Sequence, residues 1–157
     1  FEKVELDEVI INCINILSPK SSARNIHVLR KYDYPLPEVE ATKFLCEEIF
    51  FNLIDNALNY NIENGEIVIS SKETENSLRI SISDTGVGIP SESIGRIFER
   101  FYRVDKSRSR NSGGTGLGLS IVKHAAELLK WEVSVESEIG RGTTFIVTIP
   151  FTTFAAN

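Results

Sequence analysis

The residues of this chain best suited to chemistry fall in three groups: an acid ending an apolar strand, a glycine cluster opening a helix, and a run of asparagines on another helix. The acid lies in Asp84-Thr85-Gly86-Val87-Gly88-Ile89-Pro90. Leu78, Ile80 and Ile82 share one face of the strand by the two-residue period, and Asp84 continues that inward row. A buried carboxylate is costly unless hydrogen-bonded, and the amino group of adenine is a suitable donor. The plainer alternative is a strand-end Asp that caps the glycine turn.

The second group is Gly113-Gly114-Thr115-Gly116-Leu117-Gly118. Gly114, Gly116 and Gly118 leave backbone N–H groups unobstructed, and a helix expected over about Leu117–Lys130 turns its positive end toward an anion. That chemistry suits a phosphate. A P-loop is excluded, because Leu119 stands where its lysine belongs, and the spacing of a dinucleotide fingerprint is absent. The alternative is a plain glycine hinge.

The third group lies on a helix expected over about Thr42–Asn61, where Leu45, Ile49, Leu53 and Ala57 recur at helical spacing. Asn52 and Asn56, four apart, share a face, which Asn59 and Tyr60 extend by a turn. Asn is a poor helix-interior residue, so its abundance here points to ligand binding, and amide oxygens suit Mg2+. A solvated helix face is a credible alternative for Asn59 and Asn61, and a weaker one for Asn52 and Asn56, which flank the apolar stripe.

The elements that position these groups follow from the same patterns. An extended segment at Glu2–Leu6 leads to a helix near Asp7–Ala23, capped by Asp7 and disturbed by Pro19. A strand at Ile26–Tyr32, a turn at Tyr34–Pro37 and the asparagine helix come next. Two strands follow across the Glu63-Asn64-Gly65 turn. After the glycine-cluster helix, strands at Trp131–Glu138 and Thr143–Ile149 form a hairpin through Gly140-Arg141-Gly142. The expected fold class is α/β: a two-layer sandwich in which about three helices cover one mixed sheet of about five strands.

With these motifs in order, the chain resembles the catalytic, ATP-binding domain of bacterial sensor histidine kinases, in the superfamily that includes gyrase, Hsp90 and MutL ATPases and has the Bergerat fold. Asn52-Leu53-Ile54-Asp55-Asn56-Ala57 resembles the asparagine box, Asp84 to Gly88 the first glycine box, Ile97-Phe98-Glu99-Arg100-Phe101-Tyr102-Arg103 the phenylalanine box, and Gly114 to Leu119 the second glycine box. The resemblance covers about Leu6 to Pro150. It implies that Asp84 reads the adenine amino group, Tyr60 packs on the base, Asn56 holds Mg2+ and Asn52 lies near the phosphates. Gly86, Gly88 and Ile89 would form the loop along the nucleotide, and Gly114, Thr115, Gly116, Leu117 and Gly118 the phosphate cradle. Arg100 and Arg103 would meet the terminal phosphate, while Phe98 and Phe101 anchor a lid spanning about 95–113.

The resemblance further implies a protein-histidine kinase that donates the γ-phosphoryl group of Mg-ATP to a histidine on a separate dimerisation domain, with a response regulator downstream. Neither His27 nor His124 has the setting of an acceptor, so both are read as structural. The ATPase branches place a glutamate base one helical turn before the metal-binding asparagine; here that position is Asn52, which disfavours hydrolysis. A slow ATPase, a non-catalytic nucleotide sensor and, more distantly, an anti-sigma-type serine kinase remain as alternatives. Two departures stand out. Asn59 occupies a position where the family usually carries Lys or Arg, and a lid residue among Lys106, Arg108 and Arg110 is expected to substitute. Lys130-Trp131 replaces a glycine turn.

Charge agrees with an anionic ligand. The chain of 157 residues has 17 Lys and Arg against 22 Asp and Glu, for a net charge of −5, yet Arg96, Arg100, Arg103, Lys106, Arg108 and Arg110 share one stretch. Such local clustering on an acidic domain favours a small anionic ligand over a broad nucleic-acid surface. Size and 41% hydrophobic content suit one domain with a real core. With no apparent membrane span or signal peptide and with Cys13 and Cys46 read as buried thiols, the expectation is a monomeric cytoplasmic domain of a membrane-anchored receptor, whose first six residues connect to the dimerisation domain.

Overall fold

The computed structural model describes residues 1–104 and 116–151. Its elements are β1 (Glu2–Glu5), α1 (Leu6–Ile16), α2 (Ser18–Ala23), β2 (His27–Lys31), β3 (Glu38–Ala41), α3 (Lys43–Asn59), β4 (Glu66–Glu73), β5 (Ser77–Asp84), a 3-10 turn (Ile94–Arg96), α4 (Gly118–Leu129), β6 (Glu132–Glu138) and β7 (Gly142–Pro150). Five strands form a mixed sheet in the order β2-β4-β5-β7-β6, parallel only between β2 and β4. Register explains the layering: Ile69 pairs with Ile82, which pairs with Phe145, and all three are fully buried. Their neighbours Ser81, Ser83 and Thr144 point to the other face and are only half-buried. A sheet apolar on one side packs helices there and leaves the other to water.

Those helices are α1, α3 and α4, with α3 packed against both others. α3 buries Ile49, Phe50, Leu53, Ile54, Ala57 and Leu58 completely or nearly so. Its opposite edge carries the asparagines. The expected two-layer α/β sandwich is therefore the observed one.

The structure differs from expectation at the N-terminal end. Pro19 divides the first helix in two, taking the first turn of α2, where its missing N–H costs nothing. Asp7 is no N-cap: Glu5 occupies that position without a side-chain cap bond, and Asp7 falls in the first turn, where it accepts both contacts from Arg30 Nη1, at 2.9 and 3.0 Å. The unexpected strand β3 pairs with β1 in a separate two-stranded sheet, Val4 against Val39. Cys13 and Cys46 are buried free thiols; burial pushes them up to about 11 and about 12, so both stay protonated. His27 and His124 are not structural in the packing sense, because both are exposed. Among the described residues no helix is long and apolar enough to cross a membrane.

Candidate functional site

A cleft of about 520 Å3 opens between α3, the end of β5, the segment after it and the start of α4, a size suited to a nucleotide-scale ligand. Asn52, Asn56, Tyr60, Asp84, Gly88 and Ile89 line it, as do Arg103, Gly116, Leu117 and Gly118. Asn52 and Asn56 come from α3, and Gly116, Leu117 and Gly118 from the start of α4, which packs against α3 and so brings the two groups together.

Asp84 lines the cleft and caps the glycine turn, the plainer of its two expected readings. Its Oδ1 accepts the backbone N–H groups of Gly86 (2.8 Å) and Thr143 (3.2 Å), which caps the glycine turn. Oδ2 accepts nothing from the described residues, and Asp84 lines the cleft. Burial pushes the carboxyl up to about 6, against the lowering effect of those two N–H donors. The protein thus holds a carboxylate that a donor from a ligand would satisfy.

Glycines make this corner possible by close approach. A Cβ on Gly86 would collide with the Tyr60 carbonyl, and one on Gly142, at φ 103°, with the Asp84 carbonyl. Between them the 87–90 loop is stitched to the β6–β7 hairpin: Gly140 N–H donates to Val87 O (2.9 Å) and Ile89 N–H to Ser137 Oγ (2.7 Å). Ser137 and the Gly140-Arg141-Gly142 return are contributors that sequence reading assigned only to a strand and its turn. The glycines of that turn were the available signal.

Asn61 is no solvated residue. It is 1% exposed; its Nδ2 donates to Glu66 O at 3.2 Å, and its Oδ1 accepts from Thr85 Oγ1 at 3.0 Å and from Ile62 N–H at 2.9 Å. It locks the end of α3 to β4 and β5. Arg24 adds a cation at the same helix end, donating from Nη1 to Leu58 O at 2.6 Å and from Nη2 to Asn61 O.

The polar face of α3 is built differently. Asn52 Nδ2 donates to Glu48 O at 2.7 Å, which turns Oδ1 toward the start of α4: a Cβ on Gly118 would stand 3.2 Å from it. Asn56 borders the cleft, and its amide makes no hydrogen bond within the described residues. Asn59 Oδ1 accepts from Lys20 Nζ at 2.9 Å, and the same ammonium lies 2.6 Å from Asp55 Oδ1. Lys20 was not among the sequence candidates, being 35 and 39 residues away from its partners.

Of the two phenylalanine-box arginines, Arg103 borders the cleft, whereas Arg100 is exposed with its guanidinium 5.8 Å from the Phe101 ring centre. Phe98 packs edge-on against Phe145 in the core at 6.2 Å. Phe101 does not anchor through its ring, which is 63% exposed; its φ is 64° and its N–H donates to Gly116 O at 2.7 Å. Gly114, Thr115, Lys106, Arg108 and Arg110 lie outside the described residues.

An amide-rich helix face, a carboxylate beside close-packed glycines and a glycine-led helix N-terminus around one cleft define an ATP-binding domain of the kinase and chaperone type. The chain belongs to the histidine kinase-, DNA gyrase B- and HSP90-like ATPase family, whose model matches residues 42–153. It is 40% identical over 128 residues to the signal transduction histidine-protein kinase ArlS of Staphylococcus aureus, a match that covers 79% of this chain and 28% of that protein. The chain thus spans under a third of the length of the curated relatives it matches.

Among solved structures, the nucleotide-free catalytic domain of histidine kinase ThkA is 29% identical with a TM-score of 0.82, over 96% of this chain and 95% of that one. ThkA in complex with the response regulator TrrA is 27% identical with a TM-score of 0.76, over 97% of this chain and 42% of that one. Full-length ShkA in complex with AMPPNP is 27% identical with a TM-score of 0.82, over 97% of this chain and 31% of that one. The fold is that of histidine kinase catalytic domains.

Proposed function

We propose that this domain binds Mg-ATP and donates the γ-phosphoryl group to a histidine on a separate dimerisation domain of the same cytoplasmic receptor portion, with a response regulator as the downstream partner. The observation that carries it is the Asp84 carboxylate, anchored through Oδ1 and open at Oδ2 in the cleft that Asn56 and the start of α4 also line. Oδ2 would accept the adenine amino group, and Tyr60 would pack on the base. Gly116, Leu117 and Gly118 lead into the positive end of α4, where phosphates are stabilised. Arg103 would face the terminal phosphate.

The donor set suits Mg2+. Asn56 presents an uncommitted amide oxygen, and among the described residues no three His, Cys, Asp or Glu side chains gather as a cage. A Mg2+ held by Asn56 would take its other oxygens from water and phosphates and neutralise charge on the transferring group. In the transfer, the acceptor imidazole nitrogen bonds to the γ-phosphorus as the bond to the bridging oxygen breaks, and ADP leaves. The protein's share is position and charge.

Hydrolysis is the weaker reading. It needs a base for water; Asn52 has an amide where one would stand, and of the cleft carboxylates Asp84 is tied to two N–H groups and Asp55 is paired with Lys20. The test is titration with a non-hydrolysable ATP analogue, with and without Mg2+. Asp84→Asn should weaken binding about 100-fold or more, because with the two N–H contacts kept its amide NH2 would face the amino group of the base. Asn56→Ala should abolish the gain from Mg2+ while leaving metal-free binding unchanged. Absence of binding to the unaltered chain would refute the reading; binding without transfer to a supplied histidine domain would favour a nucleotide sensor.

A further inference from the structure

The charged residues among the described lining of the cleft are Asp55, Asp84 and Arg103. Two carboxylates against one guanidinium is a poor lining for a polyanion. Asp84 lies at the glycine end, but Asp55 is on α3 beside Asn56 and one turn before Asn59, on the helix face assigned to the phosphates and metal. An unpaired carboxylate there would repel a triphosphate.

The structure answers that repulsion from outside the four boxes. Lys20, on α2, places Nζ 2.6 Å from Asp55 Oδ1 and 2.9 Å from Asn59 Oδ1. Asn59 in turn donates from Nδ2 toward Asp55 Oδ2 at 3.4 Å. The three side chains form one knot along the rim of the cleft, and two of them line it. Lys20 keeps 39% of its side-chain surface exposed, so its ammonium also has room for a further partner.

We infer that Lys20 is a phosphate-site residue: it neutralises Asp55 and supplies positive charge to the polyphosphate part of the ligand, setting a preference for nucleoside triphosphate over the uncharged nucleoside. This deepens the nucleotide reading and rests on it. As a held surface pair the Lys20–Asp55 bridge contributes little to folding; its value lies in the local field. The role expected of lid lysines and arginines is thereby given, at least in part, to a residue on a different element.

The test is a double-mutant cycle on the whole chain, with Mg-ATP analogue and adenosine as probes at low salt. Lys20→Met should weaken analogue binding about tenfold, as expected for loss of one nearby charge, and leave adenosine binding within about twofold. Lys20→Arg should retain most of the affinity. Asp55→Asn should strengthen analogue binding, and the Asp55→Asn, Lys20→Met pair should return close to the unaltered chain, since the wall is then neutral again. Analogue binding unmoved by Lys20→Met overturns the inference and leaves the nucleotide reading standing. Equal loss of both ligands, or no recovery in the double variant, reduces Lys20 to a structural support and also overturns it. No binding of either ligand by the unaltered chain removes the nucleotide reading and this inference together.

Discussion

The two walls of the cleft are held by different means. At the Asp84 end, backbone meets backbone: Gly86 lies against the Tyr60 carbonyl, Gly142 against the Asp84 carbonyl, and Asn61 with Thr85 is buried or bonded between strands. On the α3 face, the positioning is by side chains on a helix edge, through Lys20, Asp55, Asn59 and Asn52. On the proposed reading, the difference follows from what each wall would bind. A flat base with a fixed donor rewards rigid placement, because every misplacement strands a buried polar group. Phosphates and a metal carry charge that acts at a distance and tolerates longer, adjustable side chains.

The largest effect should come from breaking the backbone wall. Gly142→Ala puts a methyl group into the Asp84 carbonyl at a left-handed φ of 103°, two penalties that together should cost about 3 kcal/mol or more. Thermal unfolding with nucleotide binding checks this: both should fall. A comparable substitution on the other wall, Asn59→Ala, removes only side-chain contacts to Lys20 and Asp55, and a loss of stability equal to that of Gly142→Ala would sink the comparison.

Next in size is the pH response of Asp84. Its carboxyl is raised by burial to about 6 from an ordinary 3.8, so the folded, unliganded domain holds the proton more tightly than the unfolded chain. Stability is therefore undiminished below about pH 4, declines as pH rises toward 6, and carries the full cost of the buried charge above that. Asp84→Asn should remove that cost, raising the unfolding free energy by about 1–3 kcal/mol at pH 7.5 and by much less at pH 4, even as it weakens nucleotide binding. Adenosine binding should move the opposite way, weakening about tenfold between pH 7 and pH 5 as the accepting carboxylate is protonated. Adenosine avoids the titration of phosphate. A variant that is no more stable at pH 7.5 would mean that Asp84 is better solvated than its position indicates.

What the sequence disclosed follows the same division. Asp84, Gly86, Gly88, Asn52 and Asn56 were legible because strand period, helix period and glycine type each report a local constraint, and the apolar rows of β5 and α3 place those residues without knowledge of the rest. β3 was not legible: four residues, Glu-Val-Glu-Ala, after two prolines carry too short a period to separate from a loop. Asn61 looked like helix surface because its burial depends on Thr85 and Glu66, strands away. Lys20 was invisible for the same reason; a lone lysine on a six-residue helix says nothing until α2 is seen beside α3. Arg100 shows the converse, a residue placed by motif whose side chain the structure leaves outside the cleft.

Left-handed backbone gives the smallest and sharpest test. Gly88 and Gly142 adopt it where a side chain would strike neighbouring backbone. Lys130 adopts it too, at φ 61°, as the residue that ends α4, yet it is exposed and its side chain stands in water. Sequence resemblance expected a glycine turn there, and the fold keeps the glycine geometry without the glycine. The strain is then purely conformational, of the order of 1 kcal/mol for a non-glycine residue in this region. Lys130→Gly should raise the unfolding free energy by up to about that amount and leave nucleotide affinity unchanged, because the far end of α4 touches neither wall. If affinity changed instead, the register of α4 would be set from its C-terminal cap, and the start of that helix would belong with the rigid wall rather than the adjustable one.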